Sequence, residues 1–197
     1  MSFVSTGVPE RRVRIDDPRA LRALAHPLRL ALLDHLMSFG EQTAAQCGAA
    51  VGSTASNCSY HLRALGRVGL VEPGSSADRR ERPWRATSTG LEFGPGDPAT
   101  SPSSAFAARA VDDLALARDE ELTRRARARH PQLPPDWQAA EAYHNYALKL
   151  GASELRELVA ELDRLIRPYI ALTRGESSED AEVVVLRLLA FRHPQSP

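Results

Sequence analysis

Thr54-Ala55-Ser56-Asn57-Cys58-Ser59-Tyr60-His61-Leu62-Arg63-Ala64-Leu65-Gly66-Arg67-Val68 is the stretch on which the fold and its use turn. Thr54 is a residue type that accepts an amide hydrogen bond at a helix start, and Gly69 is one that ends a helix. Cys58, Leu62 and Leu65 recur at spacings of four and three, so in a helix they share one buried stripe. Ser56, Tyr60, Arg63 and Arg67 then fall on the opposite face, with Ser59 beside them. Hydroxyl and guanidinium groups hydrogen-bond base edges and phosphates, and an exposed helix fits a major groove. Base contacts are expected from the first turns, where Thr54, Ser56, Asn57, Ser59 and Tyr60 sit, and phosphate contacts from Arg63 and Arg67.

Working outward, the flanking segments predict helices and a hairpin. Asp17 can cap a helix whose first residue is Pro18, with Leu21, Leu24 and Ala25 forming its stripe. A second helix follows from Pro27 to Met37, carried by Leu28, Leu32, Leu33 and Leu36 and ended by Phe39-Gly40. Thr43 is a cap for Ala44 to Ala50, and Gly52 supplies a tight turn into the helix from Ala55 to Val68. Leu70-Val71-Glu72 reads as a strand, Pro73 to Glu81 as a polar loop, and Arg82 to Ala86 as the returning strand. Helices followed by such a hairpin give the order of a winged helix-turn-helix. Arg79, Arg80 and Arg82 stand at or beside the hairpin tip, where they can reach a minor groove or its phosphates.

The rest of the chain predicts a boundary and a second region. Residues 94–103 are rich in Gly, Pro and Ser and read as a linker. A long helix is expected from Ser104 to Arg129, broken by Pro131, Pro134 and Pro135. Ala142 to Leu150 alternates, with His144, Tyr146, Leu148 and Leu150 on one face, and reads as a strand. Ser153 is the expected cap of an amphipathic helix carrying Leu155, Leu158, Val159, Leu162, Leu165, Ile166 and Tyr169. Val183 to Phe191 is apolar throughout most of its length and reads as a strand that pairs antiparallel with the first. The expected fold class is mainly α with small β. The expected organisation is a flexible arm over 1–16, a winged helix-turn-helix over 17–93, a linker over 94–103, and over 104–197 a long dimerisation helix with a small α+β unit. Trp137, Tyr143, Tyr146 and Phe191 in that unit either hold a small-molecule effector or complete its core.

Composition narrows the function classes. The formal net charge is zero, yet residues 1–90 carry twelve Arg against eight Asp and Glu, while the remainder carries thirteen Lys and Arg against seventeen acids. The basic excess thus lies in the half that holds the reading helix. No apolar run is long enough to span a bilayer, and the N-terminus lacks a basic-then-apolar secretory pattern, so a cytoplasmic location with no membrane partner is expected. Cys47 and Cys58 have no CxxC spacing, the six histidines form no HxxxH or HExxH pair, and neither GxSxG nor a phosphate-binding glycine loop occurs. No catalytic residue, metal or cofactor is expected, and an enzyme is not.

Leu24-Ala25-His26-Pro27-Leu28-Arg29-Leu30 with Leu33, then Ser59-Tyr60-His61-Leu62, Leu65 and Gly69-Leu70-Val71, together with the arginine-bearing hairpin, resemble the ArsR-like winged helix-turn-helix regulators. The resemblance covers about residues 17 to 92, and the remainder is similar in outline to a longer subgroup with an extra C-terminal domain. It implies a homodimeric transcription regulator with recognition helix 55–67, bound to a pseudo-palindromic operator on double-stranded DNA. It also carries DNA contact onto Ser56, Asn57, Ser59, Tyr60 and the hairpin arginines. The chain departs from the metal-sensing members, for it has neither their paired cysteines nor their spaced Asp and His residues. Two rival readings stand beside this one: a winged helix that binds proteins rather than DNA, and a thiol or metal sensor built on Cys47.

Overall fold

The computed structural model describes residues 12–75, 82–92, 102–173 and 180–195. They belong to two compact units, Met1–Leu133 and Pro134–Pro197. The chain is mainly helical with a small sheet component, and its N-terminal part is a winged helix-turn-helix.

The first unit opens on β1 (Arg12–Arg14), which lies parallel to β4 (Gly90–Glu92) with Val13 opposite Leu91. Within the stretch 1–16 expected as a flexible arm, residues 12–14 are paired and Ile15 is buried in the core. The alternation of Arg12, Val13, Arg14 and Ile15 is too short to announce a strand, and its partner lies far along the chain. Helix α1 (Pro18–Leu24) starts as its sequence requires, with the Arg19 N–H donating to Asp17 Oδ1 at 2.8 Å and Pro18 in the first turn. Helix α2 (Pro27–Phe39) is capped by His26, whose Nδ1 accepts the Leu28 N–H at 3.2 Å. Gly40, with φ 73°, ends it in a conformation that favours glycine.

The next two helices are set by their caps. At α3 (Ala44–Val51) the Thr43 hydroxyl accepts the Gln46 N–H at 3.3 Å while the Thr43 N–H donates to Gln46 Oε1 at 2.8 Å, a reciprocal capping box. Left-handed Gly52 turns the chain, and the Asn57 N–H donates to Thr54 Oγ1 at 3.2 Å to open α4 (Ala55–Gly66). The wing follows: β2 (Val71–Pro73) runs antiparallel to β3 (Trp84–Ala86), with Glu72 opposite Arg85. Gln42 adds a bridge that sequence reading did not anticipate, exchanging backbone hydrogen bonds of 2.8 and 3.0 Å with Trp84.

The core of this unit gathers Leu21 and Leu24 of α1, Leu32, Leu33 and Leu36 of α2, Cys47 of α3, and Cys58, Leu62 and Leu65 of α4. Ala107, Ala108 and Val111 of α5 (Pro102–Arg129) belong to the same cluster. Arg118 of α5 also donates from Nε to Asp34 Oδ2 of α2 at 2.6 Å. Helix α5 thus packs with the winged helix, within the unit that runs to Leu133. Its small residues let it lie close against α1 and α2, a use of Ala and Val that a sequence cannot distinguish from a free amphipathic helix. The linker expected over 94–103 lies outside the described residues except for its last two, which begin α5.

The second unit contains α6 (Pro135–Ala140) and α7 (Ala152–Thr173). The Gly151 N–H donates to Glu154 Oε2 at 2.7 Å and its carbonyl accepts the Leu155 N–H, so Ser153 lies inside the first turn of α7 rather than at its cap. The strands expected at 142–150 and 183–191 are also corrected. Both segments run without turn or bend, but neither is part of a sheet. Alternation specifies which face a side chain takes; a strand also needs a hydrogen-bonded neighbour, and none is supplied there.

Candidate nucleic-acid interface

Helix α4 is held from behind. Cys58, Leu62 and Leu65 are fully buried, as their spacing requires, and His61 joins them at 8% exposure. Once that edge is pinned, the helical period turns Ser56, Asn57, Tyr60, Arg63 and Arg67 to solvent, and Ser59 lies half-buried between the two faces. Tyr60 is 63% exposed, so its phenol is presented outward rather than packed into the subunit. Thr54 is exposed as well, although its hydroxyl already serves the Asn57 amide. Asn57 donates from its side-chain amide to Ser53 Oγ at 3.1 Å, which orients the group and leaves its carbonyl oxygen able to accept further bonds.

The turn before α4 depends on close backbone approach. A methyl group built on Gly48 would stand 2.7 Å from the Ser53 carbonyl oxygen and 3.3 Å from the Ala55 nitrogen. Only glycine lets α3 and α4 meet this tightly. Sequence reading passed over Gly48, although a lone glycine within a helical pattern is a recognised sign of close packing.

The wing is anchored beside α4. Trp84 packs over Gly66, whose missing side chain makes room for the indole. The Glu41 carboxylate accepts from the Ser75 N–H at 3.0 Å and the Ser75 hydroxyl at 3.3 Å, and Arg85 pairs with Glu72 at 2.8 Å. Arg85 is thereby neutralised within the wing. Arg82 is exposed, whereas Arg79 and Arg80 lie outside the described residues.

Behind α4 lies a contact between two histidines. The ring of His61 stands 4.5 Å from that of His26, and Tyr60 meets His61 edge-on at 5.1 Å. His61 Nδ1 is buried without a hydrogen-bond partner, as is Arg29 Nε. Burial lowers the His61 pKa, helped by the neighbouring His26 and Arg29, so the neutral ring is favoured. The sequence weighed His61 as a structural residue or a phosphate ligand, and its burial favours the first.

The cysteines sit in the core. Burial, with Cys58 nearby, pushes the Cys47 thiol up to about 11, and burial raises Cys58 too. A thiol so raised is protonated at neutral pH and is a poor nucleophile and metal ligand. Among the described residues, no group of three or more His, Cys, Asp or Glu is placed to hold a metal ion. None of the described helices is long and apolar enough to cross a membrane.

A family model described as a helix-turn-helix domain matches residues 24–73, from the end of α1 through β2. Comparison with curated proteins finds no match. The matched segment contains α2, α3, α4 and the first wing strand, so the buried stripe and the outward face described above belong to a helix-turn-helix domain of the type found in DNA-binding regulators.

Proposed function

We propose that this protein is an ArsR-like, homodimeric transcriptional repressor that reads a pseudo-palindromic operator. The observation that supports this most directly is the outward face of α4, which carries hydroxyl, amide, phenol and guanidinium groups over a fully buried Cys-Leu-Leu edge. Ser56, Asn57, Ser59 and Tyr60 contact bases in the major groove, with Thr54 at the entrance to the helix. Arg63 and Arg67 hold phosphate, and Arg79, Arg80 and Arg82 bring the wing to the neighbouring minor groove or backbone. Two subunits place their reading helices in successive major grooves, about 34 Å apart. Helix α5 leaves Phe106 and Leu116 exposed, which suits it to join the subunits. Repression follows from occupying a promoter, and any effector acts by changing the spacing of the two reading helices.

The test is selection of bound fragments from genomic DNA with the purified protein, followed by titration of the recovered site at several salt concentrations. Recovery of a common inverted repeat, with affinity falling steeply as salt rises, is the expected outcome. A winged helix that serves as a protein-interaction module would enrich no sequence and show no such salt dependence.

A further inference from the structure

The described residues of the second unit form no buried core. None of its described residues is buried, and thirteen large apolar side chains stand at 43–73% exposure, including Tyr146, Leu148, Leu165, Val184, Leu186 and Phe191. A folded unit of this size needs a buried apolar interior, and an apolar surface of this extent is the kind that marks an interaction site. Two segments without turn or bend, 142–150 and 183–191, carry much of it without joining a sheet. Such edges are otherwise templates for uncontrolled association.

We infer that the second unit is completed by a second copy of this chain, with 142–150 of one subunit pairing antiparallel with 183–191 of its partner and the apolar stripes of the two α7 helices covering the resulting sheet. Everything such a sheet requires is present in one sequence. The segment 142–150 alternates, as an edge strand with one buried face does, while 183–191 is apolar on both faces, as a central strand is. Helix α7 supplies a single stripe of Leu155, Leu158, Val159, Leu162 and Leu165 to cover it. The area also suits a dimer. At roughly 100 Å² for each exposed apolar side chain, one copy offers about 1,300 Å², more than the ~800 Å² per partner of a standard stable interface. This inference rests on the homodimer reading and adds where a strand-exchanged contact lies.

Mixing two full-length variants, each with one added cysteine, tests the pairing in trans. If the two nine-residue segments pair end to end, Leu148 and Val185 stand opposite each other. Leu148→Cys in one chain and Val185→Cys in the other should form a disulfide-linked dimer on mild oxidation, since Cys47 and Cys58 are buried and do not compete. A cross-link formed only within a chain carrying both substitutions, at monomer mass, overturns the proposal, as does no cross-link at all. Sedimentation of Leu186→Pro, with helical signal and melting checked to show that the first unit is folded, should show a dimer dissociation constant raised by roughly a hundredfold or more. An undiminished dimer overturns the proposal. Dimers that cross-link as expected but select no DNA sequence would sink the operator reading alone, whereas specific operator binding by an uncross-linked dimer would sink only the strand exchange.

Discussion

At the scale of single residues, two exposed positions on α4 test the proposed division between base contact and phosphate contact. Asn57 and Arg63 are both exposed, but Asn57 lies in the first turns and Arg63 nearer the end. Replacing Asn57 by Ala should cost about 1–3 kcal/mol of binding at the preferred operator and relax its sequence preference. Arg63→Ala should weaken binding to all sequences alike and lower the slope of log affinity against log salt by about 1. Competition titrations against operator and random DNA distinguish the two. His61 predicts a different behaviour. Its ring faces His26 at the cap of α2, with Arg29 of α2 nearby and Tyr60 on its own helix, and no carboxylate is among the groups that perturb it. Because its folded-state pKa is lowered, its contribution to stability is complete above the ordinary histidine range and is lost as pH falls through that range. The melting temperature should therefore drop below about pH 6.5, and His61→Phe should reduce the drop. Equal acid sensitivity in the variant would remove His61 as the cause.

At the scale of elements, the geometry of the α3–α4 turn depends on a residue without a side chain. Gly48→Ala places its methyl against the Ser53 carbonyl, where neither backbone can move without displacing α4. Loss of about 1–3 kcal/mol of stability is expected in denaturant unfolding, with DNA affinity falling further than the stability loss explains. Thr54→Ala removes the cap of α4 and should cost about 1 kcal/mol of stability. The turn's caps and glycines at 43, 52, 54 and 69 were legible because capping chemistry is local. Gly48 was not singled out, since its role depends on a neighbouring helix.

At the scale of the whole molecule, α5 is tied to the winged helix by Ala107, Ala108 and Val111 and by the Arg118–Asp34 contact. Both partners of that ion pair are partly shielded from water, so Arg118→Ala should destabilise the first unit by about 1–3 kcal/mol, measured as a lower denaturation midpoint with unchanged slope. A lower slope would instead show that α5 unfolds separately. What the sequence by itself determined is whatever depends on neighbours three or four residues away: the helices, their caps, the turn at Gly52, the wing, and the division of α4 into an apolar and a polar edge. Hydrophobic period and side-chain capping act over those distances, so each can be read locally. Pairings between remote segments were decided only by tertiary structure: β1 with β4, Gln42 with Trp84, His26 with His61, and α5 with α1. Such contacts depend on which surfaces meet after the chain has turned back on itself. The same limit explains 142–150 and 183–191, whose alternation and apolar character were visible while the neighbour that would make them strands was not.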